Sequence, residues 1–183
     1  MRRSTTSAAL SAALIAGLIG TASPATASSG TTSLVVEDTI VRESTIPSTE
    51  LIAQAEREGT PYSAKEVRAL KKSSCRKKEY KRGLRARKKG RWLIWVKLRL
   101  DWCYDGYQVT SARYRAQSYS YDRYTWRWRG WGKKRFEFTE DGGSVIAEVK
   151  AKFYYTGNRK VYKPHIGIWG AFDGSSDWWG WRS

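Results

Sequence analysis

The residues best equipped for chemistry are Tyr124-Thr125-Trp126-Arg127-Trp128-Arg129-Gly130-Trp131, where indole and guanidinium groups alternate. Exposed indole faces stack on sugar rings or bases, and guanidinium groups form charge-assisted bonds to phosphate, sulfate or carboxylate. The same alternation also fits an amphipathic strand with its tryptophans in the core and Arg127 and Arg129 in solvent, and the two readings can hold together. A second aromatic group, Trp178-Trp179-Gly180-Trp181, shows no strand periodicity and reads either as a plug for one end of the fold or as an exposed platform. Trp126, Trp128, Trp131, Trp178, Trp179 and Trp181 are the candidate aromatic contacts.

Cations are concentrated just before these residues. Between Lys71 and Arg91 stand twelve bases opposed only by Glu79. Solubility rarely needs that density, and such a run creates a local potential of several kT that attracts a polyanion. Arg76, Lys77, Lys78, Lys81, Arg82, Arg85, Arg87, Lys88 and Lys89 are therefore candidate contacts, alongside Arg127 and Arg129. The competing reading is a solvated basic loop. Residues 28–70 have the opposite balance, seven acids to four bases, whereas residues 71–183 carry 28 bases and 10 acids. A charge reversal this sharp suggests that the two stretches differ in role.

Catalytic material is sparse. His165 is the only histidine and lies beside Pro164 in an expected edge strand. Asp101 with Asp105, or Asp173 with Asp177, could form a carboxylate pair of the glycosidase type, but Asp105 and Asp173 belong to Asp-Gly turns, one in each pair. No phosphate-cradling glycine loop, Cys-x-x-Cys spacing or calcium-loop pattern occurs. The expectation is a non-enzymatic protein with neither metal nor cofactor.

An all-β framework must position these groups. In Lys89–Gln108, Trp92, Ile94, Val96, Leu98, Leu100 and Trp102 recur at every second residue, which predicts a central strand with six large apolar groups on one face. Tyr107–Arg115 alternates weakly and Tyr119–Trp128 well, after which Gly130–Gly132 breaks the pattern. Arg135–Thr139 would turn Phe136 and Phe138 inward. Ser144–Tyr155 alternates from Val145 to Tyr155, and Pro164 marks Lys160–Trp169 as an edge strand or a bulge. The fold expected is an antiparallel β-sandwich or small barrel of six to eight short strands. An acidic segment, residues 28–70, precedes it as short helices or flexible chain. Ser48 is a candidate cap for Thr49–Glu58, and Ser63 with Glu66 has capping-box spacing for a second helix.

Arg2 and Arg3, the apolar Ala8–Ile19 and the small residues Ala25-Thr26-Ala27 read as a secretory signal peptide over residues 1–27. The remaining 156 residues would divide into the acidic leader 28–70, the basic segment 71–91 and a β domain, residues 92–183, with a Trp-rich tail. In an exported chain, Cys75 and Cys103 most simply form one disulfide.

Cys75, together with Trp102-Cys103-Tyr104-Asp105-Gly106-Tyr107-Gln108-Val109-Thr110-Ser111 and the strand-rich remainder, resembles a group of small secreted actinobacterial proteins with a Trp-Cys-x-x-Gly turn. The resemblance spans roughly residues 75–180. It implies a disulfide-bearing β domain from a Gram-positive exporter and says nothing about catalysis.

The function expected is extracellular binding of an anionic cell-wall polymer, acidic polysaccharide or anionic lipid surface. Extracellular nucleic acid meets the same electrostatic requirement and is less favoured. Two alternatives remain. One is a cationic, Trp-rich antimicrobial or membrane-active protein whose acidic pro-region is removed near Lys71-Lys72. The other is a carbohydrate-binding module that relies on its tryptophans.

Overall fold

The computed structural model describes residues 35–182, so the expected signal peptide lies outside the described residues. Two antiparallel sheets form an all-β sandwich, as the alternation predicts. One contains β1 (Val35–Thr45), β2 (Ser74–Ala86), β3 (Trp92–Tyr104) and β4 (Val109–Ser120), paired in that order. The other runs β5 (Trp126–Phe138), β6 (Ser144–Tyr155), β8 (Pro164–Ala171), β9 (Ser176–Arg182), with the two-residue β7 (Val161–Tyr162) paired to β6. Two helices, α1 (Ser48–Arg57) and α2 (Ala64–Leu70), connect β1 to β2.

The core is the contact between the inner sheet faces. Ile94, Val96, Leu98, Leu100 and Trp102 of β3 are fully buried against Val145, Ala147, Val149 and Phe153 of β6 and Ile166 and Ile168 of β8. Trp92, the first residue of the predicted apolar face, is only partly buried at the strand's start. Burying a large aliphatic side chain contributes about 1.5–3 kcal/mol, so these two regular alternations supply much of the fold's driving force.

A smaller cluster lies on the opposite face of the first sheet. Cys75 and Cys103 are register partners on β2 and β3 and form a disulfide. Ile46, Leu51 and Leu70 bury it together with Ile52 and Tyr62. Both helices therefore cap the bridge. The predicted capping box at α2 is present, with Ser63 and Glu66 exchanging bonds. Pro47 precedes α1 without a side-chain cap, so Ser48 opens the helix instead of capping it.

Several expectations need correction. The acidic segment is more than short helices or flexible chain, because eleven of its residues form β1 in continuous register with β2. Tyr119–Trp128 is not one strand: β4 ends at Ser120, and Asp122 accepts bonds from Tyr124 N and Thr125 Oγ1 in the turn before β5. Gly130–Gly132 does not end a strand, since β5 continues through two register shifts. Phe136 and Phe138 point to the same side as their core partners Ala147 and Val145, but β5 is an edge and leaves them 37% and 44% exposed. Pro164 is the first residue of an interior strand, a position at which a missing N–H is tolerated. The aromatic tail is itself a strand, β9, and forms the true edge.

Candidate anion-binding face

Six of the twelve bases in the basic stretch lie on β2, and four of those six are paired with carboxylates of β1. Arg76 pairs with Glu43, Arg82 with Glu37 and Arg85 with Asp38, at 2.6–2.8 Å. All three acids lie on β1, so the acidic strand neutralises the basic one across the antiparallel register. Lys78 is 5% exposed and donates to Ser176 O at 3.2 Å and Ser176 Oγ at 2.8 Å, with Glu43 3.2 Å away. Burial alone would push the Glu43 carboxyl up, but bonds from Arg76, Lys78 and Ser176 hold it below the usual carboxylate range. Lys81 lies over the rings of Trp92 and Trp95, and burial lowers its pKa. Lys77 is partly buried on β2. Arg87, Lys88 and Lys89 are exposed at the β2–β3 hairpin tip.

A different set of cations faces outward. At the open side between β4 and β5 lies a groove of about 670 Å³, lined by Arg123, Arg127, Arg129, Trp128, Tyr119, Ser118, Ser120 and Phe153. Trp128 is 37% exposed and braced edge-on by Trp131 and tilted against Phe153. Arg129 lies over the Tyr154 ring. No carboxylate lines the groove, and none of its three arginines forms a salt bridge among the described residues. Arg91, which stacks on Tyr121 and donates to its hydroxyl, ties the β2–β3 hairpin to the turn that carries Arg123. The exposed hairpin-tip bases thus stand at the same end of the sandwich as the groove.

Further along β5 and β6, Lys133, Lys150, Lys152 and Lys163 line a depression of about 250 Å³ floored by Gly132 and Ala151. Lys150 and Lys152 alternate with buried Val149, Ala151 and Phe153, which fixes them on the outer face. Groove and depression share no lining residue, but both draw on β5 and β6, and Lys152 of the depression adjoins Phe153 of the groove in sequence. Arg127 and Arg129 were legible from the sequence. Arg123, Lys133, Lys150, Lys152 and Lys163 were missed as site residues, although the regular alternation of β6 signals that two of them point outward.

The six candidate tryptophans separate by face. Trp126 is buried and stacks on Tyr155. Trp131 is partly buried beneath Lys134. Trp178 pairs with Ile168, faces the first sheet and packs on Tyr80 at 4.7 Å. Trp179 and Trp181 pair with Gly167 and His165 on the outer face. A Cβ on Gly167 would lie 2.2 Å from Trp179 Cε2, so the indole rests directly on bare backbone. The tail is therefore half plug and half surface.

His165 is buried, contacts Glu148 through Nε2 and meets Trp181 edge-to-face at 4.0 Å. Burial lowers its pKa against the opposing pull of Glu148. The other carboxylates considered for catalysis have local partners. Asp101 is buried and bonded by Arg99, with burial raising its pKa; Asp105 accepts from Tyr107 N and Gln108 N; Asp173 accepts from Ser175; and Asp177 accepts from Trp178 N. Among the described residues, no cluster of three or more His, Cys, Asp or Glu comes together. Comparison with known proteins finds no matching family model, curated protein or solved structure.

Proposed function

We propose that this protein is a secreted, non-enzymatic binder of an anionic polymer or anionic surface, held along the outer band of β5 and β6. One observation carries the reading: Arg123, Arg127, Arg129, Lys133, Lys150, Lys152 and Lys163 line two concavities that no carboxylate lines, whereas four of the six β2 cations, Arg76, Lys78, Arg82 and Arg85, are paired with β1. An uncompensated row of cations sets up a positive potential that raises the local concentration of an external polyanion. Arginine supplies planar, bidentate contacts to phosphate, sulfate or carboxylate, and lysine supplies adaptable point charges. The extracellular location rests on residues 1–27 and is compatible with the disulfide.

The test is equilibrium binding of the oxidised protein to inorganic polyphosphate, anionic vesicles and a neutral glucan at low and high salt. Saturable binding to the anionic materials that weakens with salt supports the proposal. Replacement of Arg123, Arg127 and Arg129 by Gln should weaken it by about tenfold or more. Equal binding by this variant, or no binding to any anionic material, overturns it. Vesicle leakage would favour the membrane-active alternative.

The pro-region version of that alternative carries a structural cost. Cleavage near Lys71-Lys72 would strip β1 from β2 and remove Ile46, Leu51 and Leu70 from the disulfide.

A further inference from the structure

The outer face of the second sheet continues past the cationic band into aromatic surface. Cross-strand pairing puts Lys150 of β6, His165 of β8 and Trp181 of β9 in one row. The next row carries Glu148, Gly167 and Trp179, and the next Ile146, Trp169 and Asp177. Adjacent strands are about 4.8 Å apart, so the lysine edge of this surface lies about 10 Å from its indole edge.

Trp179 is set down on Gly167, and Trp181 is 46% exposed beside buried His165. Successive outward positions on β9 are about 7 Å apart, so the two indoles form a short platform along the strand. This platform is not purely cationic. Asp177 is exposed at one end, and Glu148, partly buried and bonded to His165, lies beside Lys150 on β6. Carboxylates accept hydrogen bonds from hydroxyls and repel phosphates.

We infer that the Trp179–Trp181 platform stacks the sugar rings of an acidic polysaccharide whose carboxylate or sulfate groups lie on the Lys150–Lys152 band. The inference rests on the proposed anion binding and narrows its ligand class. A polysaccharide with one charge every sugar or two can put its rings on indole, its hydroxyls near Asp177 and Glu148 and its charges on lysine. A phosphodiester chain spends its sugar hydroxyls in the backbone links and has few left to donate to those carboxylates. Free ring hydroxyls therefore favour the glycan over single-stranded nucleic acid.

The test uses the full oxidised protein and four probes: a linear uronic acid polymer, the same polymer after carboxyl reduction, inorganic polyphosphate and a single-stranded oligonucleotide. Trp181→Ala should weaken uronate binding by about tenfold, in the range of a lost stacking contact, with polyphosphate binding unchanged within about twofold. Trp181→Phe should recover part of the loss and controls for damage to β9. The carboxyl-reduced polymer should bind more weakly, with little salt dependence, and still depend on Trp181.

Uronate and polyphosphate binding that is salt-sensitive but indifferent to Trp181→Ala overturns this inference and leaves the anion-binding proposal standing. Trp181-dependent binding confined to the carboxyl-reduced polymer, with no binding to either anion, overturns both. Tighter, Trp181-dependent binding of the oligonucleotide than of the uronate polymer assigns the platform to bases and overturns the glycan.

Discussion

Lys78 crosses the gap between the two sheets to place its ammonium 2.8 Å from Ser176 Oγ. Ser176 in turn donates to Glu43 on β1, so one lysine from the basic stretch joins β2, β9 and β1. The contact closes the sandwich on its β1–β9 side, where the inward positions of β2 are polar: Arg76, Lys78 and Arg82 flank Tyr80.

Lys78→Ala should consequently act on stability and not on ligand binding. It removes hydrogen bonds to a charged donor and leaves Ser176 and Glu43 short of a partner, a loss of about 1–3 kcal/mol. Urea denaturation should show the lower midpoint, while polyphosphate affinity in native buffer stays within about twofold of the parent protein, because the buried ammonium neutralises no ligand charge. A large affinity loss with unchanged stability would return Lys78 to the binding site.

Residues 35–70 should be indispensable to folding. A chain beginning at Lys71 lacks the β1 acids that pair Arg76, Arg82 and Arg85, and it bares the Cys75–Cys103 bridge. Such a chain should be insoluble or lack a cooperative unfolding transition. With the full chain, replacing both cysteines by Ser should lower stability by about 3–4 kcal/mol in the chain-entropy model, read as a shift in the urea midpoint.

The strands easiest to read in the sequence were those with one face in the core. Val145 to Phe153 and Ile94 to Trp102 alternate because their other faces meet water or a thin helical cover. β1 carried no such signal, since its acids lie on both faces: Glu43 pairs with inward Lys78, and Asp38 lies opposite Gly83 on the outer side. β9 was obscured for the opposite reason. Trp178 packs inward on Tyr80 while Trp179 and Trp181 cover the outer face, so neither side is polar. The basic stretch looked like a ligand site because its partners are remote in sequence: Glu43 is 33 residues from Arg76, and Glu37 is 45 from Arg82. Charge density was legible there, but charge neutralisation depends on strand pairing.

Acid should weaken the fold in two stages. Burial lowers the pKa of His165 below its unfolded value of about 6.5, so the unfolded chain binds more protons in that interval. Stability therefore falls as pH drops from about 6.5 towards the depressed folded value. Because His165 is the only histidine, His165→Gln, which can still donate to Glu148, should flatten the fall in urea midpoint that begins below about pH 6.5. Glu43 acts lower. Its folded pKa is below 4.5, so its contribution is present above that value and is lost on further acidification. Glu43→Gln should reduce the second fall and leave the first unchanged.

Salt dependence should separate the two basic surfaces. Each cation that neutralises a polymer charge releases condensed counterions, so the slope of log affinity against log salt reports how many cations engage a dense polyanion. Replacing Lys150 and Lys152 by Gln removes two exposed charges from the β6 band and should make the polyphosphate slope shallower by up to about two units. Replacing Arg76 and Arg85 by Gln removes the same formal charge from β2, where both guanidiniums are already bonded to carboxylates on β1. Those partners would then be unpaired acids, so long-range attraction should weaken modestly while the slope stays close to that of the parent protein. Titrations across a range of salt concentrations distinguish the outcomes. A slope that responds to the β2 pair and ignores the β6 pair would place the polymer on the first sheet and overturn the outer-band assignment.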